Sequence, residues 1–498
     1  MTSDKDAPTM MAKRIVEMAT EDPGLPRPSP SIAFWQEPPH SISDIQSPKL
    51  PDKVDYVIIG SGITACSVAN TLLNYPALSN KRVAVFEARG LTSGATGRNG
   101  GHLVSPFALE FSMLSAAFGI EKAAEVARFS YKSMDRVYEV VDALDARIQK
   151  AAEVRRVTTV TNFLDTRSYE RARESVRQFA EACPDLASEV VILTAEQTKK
   201  KYNFTMSSGA VEHPAGALWP YRLITGIFAK LLEQHSTRFS IDTNTPVSKV
   251  SYDRGNAPYS YTLETPRGSI NAAQVVYCTN GFTSHLLPAL RGKIFPLRGT
   301  MSTQTLSPTA PNHGAKYSWS IVYEPTHDPE NGISSVGLYY LTQNAKTGDF
   351  YLGGEKQKYD EILVSDDTVV PDLPADNLAA LMTGLFASPE ETEFTTHPKR
   401  IWAGIMGFTA DHMPLVGKLD SKWTWNSGDG EWIAAGFNGH GMDKCWLVGE
   451  TLGGMIAGED VKGKLPDLYQ ITDKRLEERM QAEIVPVSLF RLPEHASS

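Results

Sequence analysis

The hexad Gly60-Ser61-Gly62-Ile63-Thr64-Ala65 follows the apolar run VDYVII at 54–59 and has the spacing G-x-G-x-x-G/A. Each position has a physical task. Gly60 makes the tight turn, Gly62 lets the backbone approach a pyrophosphate, and Ala65 is small enough for helix and strand to pack closely. A helix opening at this point aims its amino-terminal N–H groups and positive dipole end at a diphosphate. A second apolar run at 83–86 ends at Glu87, where a carboxylate can accept both ribose hydroxyls. This chemistry is dinucleotide binding. FAD and NAD offer the same adenosine diphosphate to the motif, so both stay open, whereas Glu87 would repel the 2'-phosphate of NADP. The loop TSGATGRNGGHL at 92–103 comes next. Its glycines leave N–H groups unshielded, so it can wrap a pyrophosphate and lie against a flat ring. Ala95, Thr96, Arg98, Asn99, Gly100 and Gly101 therefore join the cofactor candidates.

These residues need a β-α-β unit to position them, and 54–59, 63–73 and 83–86 supply strand, helix and strand in order. The chain has 498 residues, enough for two or three domains. Its formal net charge is -9, spread without blocks, so it lacks the concentrated basic face that nucleic-acid binding needs. Cys66, Cys183, Cys278 and Cys445 are too far apart for a disulfide framework or a zinc ribbon, and the histidines show no metal-ligand spacing. The amino terminus has no secretory apolar run, no segment is long enough to span a membrane, and the ending HASS is not S-K-L. The expectation is a cytoplasmic protein without membrane or nucleic-acid partners. Nine of the 31 prolines fall in residues 1–51, which reads as an irregular arm that docks through Ile32, Phe34 and Trp35. Residues 117–150 carry a helical stripe of Val126, Phe129, Met134, Val137, Val140 and Leu144. Further helices are predicted near 169–182 and 222–235. Strands are predicted at 157–164, 259–264, 274–278, 294–303, 334–341 and 350–354. The fold class is α/β, a Rossmann-like dinucleotide domain with a second, mixed-sheet α+β domain.

Together, GSGITA, Glu87, SGATGRNGGH and the late block Gly436-Phe437-Asn438-Gly439-His440-Gly441-Met442 resemble the FAD-dependent D-amino-acid oxidase and glycine oxidase superfamily. Within it, the chain is most similar to the gamma-glutamylputrescine oxidase branch. Val247 in TPVSKV, Thr279 to Gly281, and Pro296-Leu297-Arg298-Gly299 strengthen the resemblance. It implies FAD as cofactor, with backbone at Val247 on the adenine and Thr279 to Gly281 near the nucleotide. It also implies hydride transfer from the carbon beside an amine nitrogen to flavin N5, imine hydrolysis, and reoxidation by O2 to hydrogen peroxide. Non-covalent binding is expected, because relatives that attach flavin through histidine place it where Arg98 stands here, with His102 displaced downstream. The late block would open a helix at Gly439 to Met442 and aim its N–H groups at the reduced ring.

Substrate candidates follow from the same likeness. Arg298 is the candidate carboxylate clamp or flavin-side cation, and Lys293 the candidate aid to oxygen. Asp443 stands where relatives that take N-methyl amino acids carry lysine, so it would either attract an ammonium or, as a residue of the first helical turn, complement the helix dipole. Tyr339, Tyr340, Tyr351 and Trp402 are candidates for an aromatic pocket. The implied layout is an arm (1–50), a discontinuous FAD domain (51–105, 205–290, 400–460), a substrate domain (106–204, 291–399) and a carboxyl-terminal extension (461–498). The alternatives are an NAD-dependent dehydrogenase and a flavin-binding protein of low activity.

Overall fold

In the computed structural model, residues 7–204, 206–305, 311–328, 330–354, 356–386 and 397–492 are described. Strand Lys53–Ile59 is central to the first sheet, parallel to Val83–Phe86 on one side and Gly268–Tyr277 on the other. Phe239–Asp242 extends the sheet beyond Val83–Phe86, and Glu431–Ala435 extends it beyond Gly268–Tyr277. These parallel strands are buried on both faces and so are apolar almost throughout. Register sets Ile59, Tyr277 and Ile433 level with one another. The turns that follow them, at Gly60, Cys278 and Gly436, therefore emerge side by side at the carboxyl edge, where open α/β sheets bind ligands.

Behind that edge, helix Ile63–Asn74 packs on helix Cys445–Ile456. Ser67 Oγ donates to Trp446 O at 2.6 Å. A Cβ on Gly449 would lie 2.5 Å from Ser67 Cβ, and one on Gly453 would lie 2.7 Å from Thr71 Cβ. The helices approach this closely only because those two residues lack side chains. Gly449→Val is expected to lower stability by about 1–3 kcal/mol through overpacking, seen as an earlier urea midpoint. An unchanged midpoint would mean the helices part without cost.

The second sheet runs, in order, through His397–Thr409, Ile294–Thr305, Phe350–Gly353, Leu338–Gln343, Tyr317–Val322, Arg155–Phe163, Gly209–Ala217 and His102–Val104. The expected strands and helices occur near their predicted places except that 334–341 divides into Ile333–Ser335, in a separate small sheet, and Leu338–Gln343; the 117–150 stripe lies on helix Ile120–Asp142, which buries Val126, Phe129, Met134 and Val137, with Leu144 beyond its end. Gly209–Ala217 was not predicted, because Gly209, Pro214 and Gly216 interrupt its pattern. Pro214 is tolerated in the gap between two short partner strands, Val191–Thr194 on residues 209–212 and His102–Val104 on 215–217. Strands Gly209–Ala217 and His102–Val104, and His397–Thr409 from residue 400 on, fall within the segments expected to form the dinucleotide domain, yet they pair in this second sheet. Alternation shows which face of a strand is buried. It does not show which sheet the strand joins.

The arm also departs from expectation. Residues Ala7–Thr20 form a helix whose Met11, Ile15 and Met18, spaced for one face, are buried with Leu476, Met480 and Val485 of the carboxyl-terminal extension. Trp35 is buried as expected, but Ile32 is 61% exposed. Among the described residues, no helix is long and apolar enough to cross a membrane.

Candidate active site

Gly60 has φ +104°, and a Cβ there would lie 2.5 Å from Cys278 O, so both the turn and its close approach to the neighbouring strand demand glycine. Gly62 caps helix Ile63–Asn74, and Ile63 N donates to Thr96 Oγ1 at 3.0 Å. Glu87 is buried, and Ser61 Oγ (2.6 Å) and Ser61 N (3.1 Å) both donate to its Oε2. The acid thus stands directly beside the glycine turn. Thr64 and Ala65 are buried where the motif helix packs. Val247 is buried two residues after Thr245, whose N–H donates to Glu87 O at 2.8 Å.

The late block meets this end of the molecule. Gly436 N donates to Asn280 Oδ1 at 3.1 Å, and a Cβ on Gly281 would lie 2.5 Å from Met406 O, so Thr279 to Gly281 is wedged between late block and second sheet. Asn438, at φ 55°, holds its turn by accepting from Thr409 N (2.8 Å) and donating to Gly436 O (2.7 Å). Asn99 Nδ2 reaches Met442 Sδ at 3.4 Å, which joins the early loop to a residue 343 positions away. The expected helix start at Gly439 to Met442 is corrected: the helix begins at Cys445, after a turn in which Lys444 N and Cys445 N both donate to Gly441 O. The N–H groups of Gly439, Gly441, Met442 and Asp443 accordingly take no acceptor among the described residues.

One face of the second sheet closes the space. A Cβ on Gly100 would meet Tyr340 Cε2 at 2.7 Å, and Thr342 Oγ1 donates to Gly100 O at 2.7 Å. Gly299, Gly404, Met406, Tyr340 and Ser320 share that face by register and remain partly accessible in mid-sheet. Gly60, Gly62, Ala95, Asn99 and Gly439 to Gly441 are accessible too, and the space that these residues border between the glycine turn and the sheet is the candidate cleft. Its tight turn, open glycines, helix terminus, acid and second set of free N–H groups fit a dinucleotide carrying a flat ring.

The three substrate candidates do not face this cleft. Arg298 is on the opposite face of its strand and donates from Nη1 to Asp366 O at 3.3 Å. Lys293 donates to Leu476 O (2.7 Å) and Met480 O (3.2 Å) of the carboxyl-terminal extension, and burial lowers its pKa. Asp443 is fully buried, accepting from Ser130 Oγ and pairing with Lys444 Nζ at 2.8 Å. Arg98 lies in the loop but sends its guanidinium outward, to Ala403 O at 2.7 Å and to Ser31 of the arm. Burial pushes its pKa down to about 10, opposed by Asp367. Of the four aromatics, Tyr340, Tyr351 and Trp402 share the cleft-side face, whereas Tyr339 points away to Asn377 Oδ1 at 2.9 Å.

Sequence reading missed three residues. His102 Nε2 bonds Ser318 Oγ at 2.9 Å, and burial, reinforced by His213 and His440, pushes its pKa down to about 3. His213, also buried, is held at about 4 by desolvation. Asp367 pairs with Arg89 at 2.9 Å behind the loop. Strand pairing brings His213 to the cleft-side face, Asp367 reaches Arg89 from an irregular segment far along the chain, and His102 directly follows the last glycine of the early loop.

Comparison with known proteins agrees with this geometry. The FAD dependent oxidoreductase (DAO) family matches residues 55–455. Gamma-glutamylputrescine oxidoreductase of Escherichia coli (strain K12) is 21% identical over 81% of this chain and 84% of its own length. Among solved structures, L-proline dehydrogenase from P. horikoshii superposes with TM-score 0.60 at 19% identity, covering 87% of this chain and all (100%) of the other. Glycine oxidase from Geobacillus kaustophilus gives 0.58 at 16% identity, over 82% and 96% of the two chains. The match decides for FAD between the two dinucleotides that the first motif leaves open.

Proposed function

The chain belongs to the FAD-dependent oxidoreductase (DAO) family, and from that premise we propose that it oxidises the carbon–nitrogen bond of a small amine or amino acid, with FAD held non-covalently and O2 as acceptor. The observation that carries this reading is the grouping of Gly60 and Gly62, the free N–H groups of Gly439, Gly441, Met442 and Asp443, and the sheet face at Tyr340 around the early loop that touches both Met442 and Tyr340. When bound, the flavin would supply the two-electron chemistry, taking a hydride at N5 from the carbon beside nitrogen and passing the electrons to O2 to give hydrogen peroxide. The chain's residues bind and orient. Gly60, Gly62 and the start of helix Ile63–Asn74 would receive the diphosphate, and Glu87 the ribose hydroxyls. The N–H groups of Gly439, Gly441, Met442 and Asp443 form a fixed donor set suited to negative charge arriving on the ring edge. Tyr340, Met406 and Met301 would wall the substrate side and exclude water. With Arg298 turned to the opposite face, a carboxylate clamp at that residue has no support from the geometry.

Four observations test the reading. The purified protein should be yellow, heat denaturation should release its flavin as FAD, an amine or amino acid should bleach the flavin under argon, and air should restore it with hydrogen peroxide. Colourless protein after incubation with FAD, or flavin that no amine or amino acid bleaches, would overturn it.

A further inference from the structure

A buried ion pair adjoins the free N–H groups of the late block. Lys444 Nζ donates to both carboxylate oxygens of Asp443, at 2.8 and 2.9 Å, and to His440 O at 2.6 Å. An ammonium has three N–H donors, so all of them are used. Asp443 Oδ2 also accepts from Ser130 Oγ of helix Ile120–Asp142, and Lys444 Nζ lies 5.0 Å from the centroid of the Phe107 ring. The two charged side chains are 5% and 1% exposed. A buried pair of this kind contributes little or nothing to stability beyond what apolar residues of the same volume would give. Its use is therefore to be sought in what it holds, and what it holds is one backbone carbonyl.

In a trans peptide the C=O and N–H bonds point in opposite directions. Fixing His440 O on the buried ammonium thus turns the N–H of Gly441, in the same peptide, away from the interior, and that N–H is one of the four without an acceptor among the described residues. Gly441 is partly accessible, as a place at the cleft requires. The anchor sits at a joint that needs one. Reversing a peptide rotates ψ of the residue before it and φ of the residue after it, and glycine accepts either sign of φ. Without the anchor, the His440–Gly441 peptide could turn over at little cost and present a carbonyl where the donor stands. The Gly441–Met442 peptide is guarded twice. Its carbonyl accepts from Lys444 N (3.0 Å) and Cys445 N (2.8 Å), and reversal would push Met442, which has a Cβ, toward positive φ. We propose that Lys444 is a positioning residue, oriented by Asp443 and Ser130, that locks the His440–Gly441 peptide with its N–H toward the ring edge of bound FAD and so favours the reduced, negatively charged flavin. This rests on the reading above for the cofactor and for the facing of the donor set, and on no particular substrate.

The midpoint potential of bound FAD tests the lock without any amine. In Asp443→Asn with Lys444→Met, which removes the anchor without stranding a charge, reduced FAD should lose about ten-fold in binding relative to oxidised FAD, read as a midpoint about 30 mV lower. Adding Gly441→Ala should restore most of that loss, because a residue with a Cβ resists the flipped, positive-φ form. The new Cβ would lie 3.0 Å from Cys445 Sγ and 3.3 Å from Phe437 Cβ, both buried, so it points inward and is given room by Cys445→Ala. A merely structural ion pair would not respond to that methyl group. If the pair variant yields no folded protein, Lys444→Gln carries the same measurements, since its shorter side chain keeps a donor for Asp443 and gives up His440 O. A change under about two-fold in the binding ratio, or a loss that Gly441→Ala does not restore, overturns the lock and leaves amine oxidation standing. A midpoint that falls and is restored, in a protein that no amine or amino acid reduces, supports the lock and overturns amine oxidation. A parent protein that takes up no FAD overturns both.

Discussion

Replacing Asp367 with alanine is expected to cost the folded protein about 3–5 kcal/mol, because it strands two buried cations. Asp367 is 0% exposed and takes both oxygens to Arg89, at 3.0 and 2.9 Å, with Arg98 Nε 3.5 Å from Oδ2. Both guanidinium groups are buried, and Arg89 Nε and Arg98 Nη1 already lack partners among the described residues. Without the carboxylate, their desolvation has little left to offset it. Arg89 directly follows the segment holding Glu87, and Arg98 lies inside the loop facing the cleft, so the same change should also weaken FAD binding. Urea unfolding of Asp367→Ala, with and without added FAD, checks both effects. Adding Arg89→Met should recover part of the loss, since it removes one unpaired charge. A stability loss under about 1 kcal/mol would place this ion cluster among those that contribute nothing measurable.

The nucleotide end of the site was legible because its chemistry is local. A turn, a cap and a terminal acid lie within one β-α-β unit, so Gly60, Gly62 and Glu87 stand where their spacing puts them. The late block was legible as a position but not as a conformation. Asn438 enters the left-handed region and delays the helix to Cys445, a detail set by its bonds to Thr409. Substrate candidates fared worst. Arg298 lies in a strand, which reaches only one face, and that face is fixed by pairing with strands far away, whereas Lys293 and Asp443 lie in turns whose direction is set by their bonds to the carboxyl-terminal extension and to Ser130. His213 shows the converse. It lies in a strand interrupted by glycine and proline, and becomes a neighbour of Thr159 only after residues 155–163 and 209–217 pair.

The buried histidines should make the fold sensitive to mild acid. His102 and His213 have folded pKa values of about 3 and about 4, both lowered chiefly by burial from the ordinary 6.5. As pH falls below 6.5 the unfolded chain protonates both rings, whereas the folded protein leaves them neutral until about 4 and about 3. The unfolded state therefore binds more protons throughout that window, and stability falls as pH falls. At about 1.4 kcal/mol per pH unit for each group, moving from neutral pH to pH 5 should cost about 2 kcal/mol per histidine, or about 4 for the pair. Most carboxylates still carry their charge in both states at pH 5, so they add little there. His40, His235, His327 and His412 are also lowered by burial and steepen the same slope, so the test is the difference between proteins and not the slope of one. Urea unfolding free energies at pH 7 and pH 5 should fall by about 2 kcal/mol less in His213→Gln than in the parent, and likewise in His102→Gln. Identical losses in parent and variants would mean that both rings take up a proton as readily in the folded state as in the unfolded one.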